Sequence, residues 1–203
     1  MTGRLVRCGP GALVVEVDGP ATAAGLASRL RTRLPLLGVV PGAESVLVQA
    51  AHGSLPDDVA AVVAAALAEP ADADPGSGRL VELPVHWDGP DLDDVAARWG
   101  TDASGVVARL EATELTSAFC GFAPGFAYLA GLPAELAVPR LAAPRPRVPA
   151  GSVALADAWC GVYPGASPGG WRLVGRTDVA LWDLDADPPA LLAPGTRVRL
   201  VPA

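Results

Sequence analysis

The stretch from Phe119 to Thr177 is dense in Gly and Pro and poor in helical periodicity, which limits what the second half of this chain can form. Proline removes a backbone donor and glycine weakens a helix, so short strands separated by turns are what such a segment can build. The runs Val153–Ala156, Trp171–Val174, Val179–Trp182 and the alternating Thr196–Val201 fit that reading, and together they predict a β-barrel or sandwich over residues 115–203.

The same stretch has an unusual charge. The chain carries 15 basic and 22 acidic residues, a net charge of -7. Between Phe119 and Thr177, however, Arg140, Arg145, Arg147, Arg172 and Arg176 face only Glu135 and Asp157. Local potential rather than net charge decides what a cleft attracts, so this island is a candidate anion site. The overall acidity argues against general nucleic-acid binding, which needs an extended basic face.

The first half reads differently. Ala12–Val17, Val46–Ala50 and Leu80–Val85 are strand-like, and Leu26, Leu30 and Leu34 recur every four positions as a helix stripe ended by Pro35. Ser54-Leu55-Pro56-Asp57 resembles a capping box ahead of a second stripe at Val59, Val62, Val63, Ala66 and Leu67. A small α/β domain, ferredoxin-like in type, is expected over residues 1–88, with a Gly/Pro/Asp/Ser linker at Ala71–Gly78. Two short helices, the second capped by Thr101 or Asp102, predict a helical connector over 89–114.

Three segments carry candidate chemistry. In Gly121–Leu129 the aromatics Phe122, Phe126 and Tyr128 surround Pro124 and Gly125, and could wall a pocket or staple a core loop. Pro139–Ser152 places Arg140, Arg145 and Arg147 on a proline-stiffened loop, where guanidinium forks match carboxylate and phosphate oxygens. Ala150, Gly151 and Ser152 are candidates for an anion nest of backbone N–H groups and a hydroxyl. The competing reading is a solvated loop whose arginines pair with the surplus acids, and the sequence leaves both open. In Ser167–Thr177, Trp171 anchors a turn entering a strand that carries Arg172 and Arg176.

Other chemistries have few carriers. The chain has no Lys, Asn or Ile, so a Walker-type phosphate loop and Schiff-base chemistry are excluded. Cys8, Cys120 and Cys160 are three and far apart, which suggests neither a disulfide framework nor a zinc site. His52 and His86 are the only histidines, and neither lies in the barrel half. No apolar run approaches the roughly 18 residues of a membrane span, and a reducing cytoplasm is the expected location.

The blocks Gly121–Leu129, Pro139–Ala154 and Gly161–Thr177, in this order and spacing, resemble the allophanate hydrolase subunit 1, or KipI-type, family, which includes the B subunit of bacterial ATP-dependent 5-oxoprolinase. The resemblance spans essentially the whole chain. It implies an α+β fold in which the second domain is a cyclophilin-like β-barrel. It also implies a homologous C subunit and an A-type subunit as partners, with ATP and Mg2+ used by the complex in opening 5-oxoproline to glutamate. Related pairs form the carboxyltransferase part of urea carboxylase, and KipI itself inhibits a sporulation histidine kinase. On this resemblance Arg140, Arg145, Arg147, Ser152, Tyr163, Arg176 and Thr177 are the expected substrate-binding positions. Phe122, Pro124, Gly125, Phe126, Tyr128, Gly151 and Trp171 would line the pocket. Members of the family usually carry a His-Thr pair ahead of the first block, where this chain reads Arg109-Leu110-Glu111-Ala112.

Overall fold

A computed structural model describes residues 3–69 and 78–203. The chain divides into two units, Met1–Ser77 and Gly78–Ala203.

In the first unit β1 (Arg4–Arg7), β2 (Ala12–Glu16), β3 (Leu37–Pro41) and β4 (Ser45–Ala50) form an antiparallel sheet in the order β1-β2-β4-β3. Alternation along the strands sends Leu13, Val15, Val39, Val46 and Val48 to one face. There they pack with Leu26 and Leu30 of α1 (Pro20–Arg33) and Val59 and Val63 of α2 (Val59–Ala68). Burying each such side chain contributes roughly 1.5–3 kcal/mol, so this small core is the unit's main source of stability. The Ser54–Asp57 capping box does not form: α2 starts at Val59, and its N-cap Asp58 makes no side-chain cap bond. The linker predicted at Ala71–Gly78 lies, apart from Gly78, outside the described residues.

The strand Leu80–Val85 (β5) departs from the expected 1–88 domain. It pairs in parallel with β13 (Arg197–Pro202), Leu80 opposite Arg197, and so belongs to the second unit. The edge that it would have filled in a ferredoxin-like first domain is taken by β1, which folds back on β2 through a left-handed Gly9. The helices α3 (Leu92–Arg98) and α4 (Ala103–Ala112) are not a free connector. Val95, Trp99, Val106 and Leu110 share one buried cluster with the strands of the second unit. Asp102 caps α4, accepting from the Gly105 amide at 2.8 Å.

The second unit is built on a curled sheet that also contains β6 (Glu114–Cys120), β7 (Ala127–Ala130), β9 (Ser152–Ala156), β10 (Trp159–Val162) and β12 (Arg172–Arg176). Its order is β12-β9-β10-β7-β6-β13-β5. A separate two-stranded ribbon joins β8 (Arg145–Val148) to β11 (Ser167–Gly169). The run Val179–Trp182 is not a strand and contributes only a bridge from Trp182 to Ala190.

The chain beyond β5 curls round to the opposite edge of the sheet. His86 donates to the Arg176 carbonyl at 2.8 Å and accepts from the Arg176 amide at 2.9 Å. Asp91 N–H reaches the Leu173 carbonyl at 2.9 Å. Residues 86–91 thereby close a seam along β12, and backbone groups that would face solvent at an open edge are paired. The approach is close enough to demand glycine: a Cβ on Gly89 would lie 2.3 Å from the Val174 carbonyl carbon, and one on Gly175 2.7 Å from the His86 oxygen. The molecule is thus α+β and mostly sheet. Among the described residues no helix is long and apolar enough to cross a membrane.

Candidate functional site

The arginine island does not converge on one point. Arg140, Arg145, Arg147 and Arg176 divide between two hollows that share no lining residue, and Arg172 lines neither.

The first hollow, of about 380 Å3, follows the seam. Asp88, Gly89 and Pro90 form one wall, β12 supplies Leu173, Gly175 and Arg176, and Arg145, Arg147 and Ser152 line it from β8 and the start of β9. The charges here are mostly paired. Arg145 donates to Asp91 at 2.7 Å and to the Trp171 carbonyl at 3.4 Å. The second oxygen of Asp91 accepts the Leu173 amide at 2.7 Å. Arg176 donates to Asp88 at 2.9 Å and to Asp178 at 3.5 Å, and His86 Nε2 lies 3.2 Å from the other Asp178 oxygen. Arg147 is exposed and has no acidic partner among the described residues. A guanidinium in that state keeps its hydrogen-bonding fork available to an incoming carboxylate or phosphate.

The second hollow, of about 110 Å3, is aromatic. Phe122, Phe126, Tyr128, Tyr163 and Trp171 line it together with Arg140 and residues 168–170 at the end of β11. Phe126 sits at its centre, edge-on to Phe122 at 5.3 Å, Tyr163 at 5.3 Å and Trp171 at 5.5 Å, the geometry that ring quadrupoles favour. The Arg140 guanidinium carbon stands 5.9 Å from the Trp171 ring centroid, a cation–π contact. Phe122 is 63% exposed and holds φ 70, the left-handed region that a bulky residue seldom adopts. Burial pushes the Tyr163 hydroxyl above its ordinary pKa, against the opposing pull of a backbone hydrogen bond with Trp171. The phenol therefore stays neutral and able to donate near neutral pH.

Four expected positions line neither hollow. Thr177 is buried, its amide donating to Gly151 O at 2.9 Å and its hydroxyl accepting from Val179 at 3.3 Å. Gly151 takes φ 78 where the backbone passes Thr177, and a Cβ there would meet the Thr177 carbonyl oxygen at 2.2 Å. Pro124 is exposed, and Gly125 packs beside Trp182. The nest expected at Ala150–Ser152 is largely spent on the protein itself. Gly151 N–H donates to Tyr163 O at 2.7 Å, and the Ser152 amide and hydroxyl both donate to Pro149 O. Arg172 is buried, donating to Asp94 and to the Pro139 carbonyl, and is a structural residue.

The acids that neutralise most of the island come from outside it. Asp88, Asp91 and Asp94 arrive from the segment after β5, and Asp178 follows β12. The density of Asp in residues 88–94 was the available sequence signal. Cysteine chemistry has no support: burial pushes the Cys160 thiol up to about 12, and Cys120 is raised by burial as well. A third hollow of about 410 Å3, bordered by Asp183, Asp187 and Arg79, contains none of the expected positions.

These features define an α+β protein with an arginine-lined seam and an aromatic hollow beside its curled sheet. Residues 4–192 match the family described as carboxyltransferase domain, subdomain C and D, and the chain belongs to that family. It is similar to the 5-oxoprolinase B subunit of Escherichia coli O157:H7, 39% identical over 206 residues, covering 96% of this chain and 93% of that protein. It is also similar to the 5-oxoprolinase B subunit of Bacillus subtilis (strain 168), 41% identical over 138 residues, covering 66% of this chain and 58% of the relative. Among solved structures, TTHA0988 matches with a TM-score of 0.75 and 36% identity. That match covers all of this chain and 40% of TTHA0988.

Proposed function

We propose that this chain is the B subunit of an ATP-dependent 5-oxoprolinase, a cytoplasmic assembly that opens 5-oxoproline to L-glutamate. It acts with a homologous C subunit and an A-type subunit, and is inactive alone. Two relatives that bear the B-subunit name at 39% and 41% identity support the reading. The observation that carries it to a site is Arg147, exposed on the seam hollow without an acidic partner among the described residues. The reaction has anions to offer there, a carboxylate and phosphate-class groups. Arg145 and Arg176 frame the same hollow and are oriented by Asp91 and Asp88. The sheet of the second unit corresponds, on this reading, to the family's cyclophilin-like barrel.

ATP and Mg2+ are assigned to the assembled complex rather than to this chain. What this chain contributes is binding and orientation of anionic groups.

The experiment is ATP hydrolysis by this chain co-expressed with a C-subunit homologue, with and without 5-oxoproline. Stimulation that needs both proteins and the lactam is expected. A stable complex whose ATP hydrolysis ignores 5-oxoproline would instead favour carboxyl transfer. The family description is the observation behind that second reading, in which the biotin would be carried by a partner, since this chain has no lysine to accept it.

A further inference from the structure

The third hollow, of about 410 Å3, is larger than the seam and aromatic hollows. Part of its lining follows from sheet register. β5 and β13 run parallel with Leu80 opposite Arg197, so the residues just ahead of them, Arg79 and Thr196, emerge at the same end of the pair, and both line the hollow. The rest comes from residues 181–191, which fold back on themselves: the Leu191 amide donates to the Leu181 carbonyl at 3.0 Å, and the Asp183 amide to the Pro189 carbonyl at 2.9 Å. That turn brings Asp183 and Asp187 to the hollow, with Leu181, Pro189 and Leu191 as apolar wall.

Opposite charges thus border one space without meeting. Arg79 donates to the Leu191 carbonyl at 3.3 Å and has no acidic partner among the described residues. Asp183 spends one oxygen on the Asp185 amide at 3.0 Å, and neither Asp183 nor Asp187 forms an ion pair among the described residues. The seam is different, since Arg145 and Arg176 are held there by Asp91 and Asp88. Thr196 is a second, independent sign. It is only 8% exposed, its amide donates to Ala193 and its carbonyl accepts from Ser117, yet its hydroxyl has no hydrogen-bond partner among the described residues. Burying a hydroxyl without a partner is costly, and one that borders a hollow has its partner supplied from the hollow.

We propose that this hollow binds a free α-amino acid with an apolar side chain. A zwitterion satisfies both signs at once. Its carboxylate takes the Arg79 fork and the Thr196 hydroxyl, and its ammonium takes Asp183 and Asp187. Its side chain lies against Leu181, Pro189 and Leu191. The volume exceeds the roughly 300 Å3 at which small-molecule pockets begin, so a molecule of the size of leucine is admitted whole. A simple acid or a simple amine leaves one sign of charge unmatched. 5-Oxoproline has an amide nitrogen and no ammonium, so this site is separate from the reaction proposed above and the inference does not rest on it.

Calorimetric titration of the full chain with L-leucine tests the assignment, with 4-methylpentanoate and 3-methylbutylamine as probes that each keep one of its two charges. L-Leucine is expected to bind about tenfold more tightly than either. Arg79→Ala should weaken its binding about tenfold, and so should Asp183→Asn combined with Asp187→Asn, in which an amide oxygen still serves the Asp185 turn. Thr196→Val keeps the shape and removes the hydroxyl. It should weaken binding severalfold while the thermal midpoint holds or rises, because no internal hydrogen bond is lost. Absence of L-leucine binding to the wild-type chain overturns the proposal. Equal binding of the acid or the amine also overturns it, as does wild-type affinity in either charge variant.

Discussion

Arg145 and Asp91 meet at 2.7 Å, joining the ribbon that borders the seam hollow to the residue just ahead of α3. Both are largely shielded from water, and Asp91 also holds the Leu173 amide. Removing one partner of such a pair leaves a desolvated charge behind, which costs more than the pair itself contributes. Asp91→Ala is therefore expected to lower stability by about 2–3 kcal/mol in chemical denaturation. Asp91→Asn retains an acceptor for Leu173 and should lose less. Equal losses in the two variants would show that the ion pair, not the amide bond, carries the effect.

Arg147 should behave in the opposite way. It is exposed and has no acidic partner among the described residues, so the folded chain has little to lose with it. Arg147→Ala is expected to abolish turnover with the C subunit while shifting the thermal midpoint by no more than a few degrees, the range of an ordinary surface substitution. A collapse of the midpoint would make Arg147 a structural residue.

Gly89 tests the seam. A methyl group there would be driven against the Val174 carbonyl carbon at 2.3 Å and the Leu173 oxygen at 2.4 Å, and backbone cannot rotate aside as a side chain can. Gly89→Ala should force residues 86–91 away from β12. Faster amide exchange at Asp91 and Arg176 is the expected signature, together with weaker anion binding in the adjoining hollow. Gly165→Ala, where an added Cβ meets nothing within 4 Å, is the matched control.

Asp94 gives a pH dependence of defined sign. Its carboxyl is held below the usual range, first by a hydrogen bond from Arg98 and then by one from Arg172. Because the folded pKa lies below that of the unfolded chain, its contribution is fully present above about pH 4. It fades as pH falls through the lower folded value. The stability difference between wild type and Asp94→Asn should stay constant from pH 7 to pH 5 and shrink under more acid conditions. Urea denaturation at each pH measures it. The group is half exposed, so a modest difference is expected even at neutral pH.

Local pattern carried much of the fold. The four-residue Leu stripe became α1, and the alternation near Thr196 became β13. Asp102 was one of two cap candidates, and it is the one that caps α4. What the pattern could not supply was partnership. Leu80–Val85 has the same strand signal whichever sheet it joins, and only its register with β13 assigns it to the second unit. The candidate site shows the same limit. The arginines were visible as a local excess, yet Asp88, Asp91 and Asp94 reach them from far away in sequence, and spacing says nothing about such pairs. Arg140 and Arg147 lie close in sequence and line different hollows, because β8 begins at Arg145 and carries Arg147 along the seam wall.

The seam also sets an order of events. His86 and Arg176 belong to opposite ends of the second unit in sequence, and the loop between them must be closed before their two hydrogen bonds can form. Contacts of that range form slowly relative to turns and helices. A nascent chain whose strands had paired while the seam stayed open would possess every side chain of the anion hollow and no hollow. On the function proposed above, an anion site at Arg147 would therefore be complete only once the seam had closed as well as the strands paired, and its appearance would mark completion more sharply than helix or strand content.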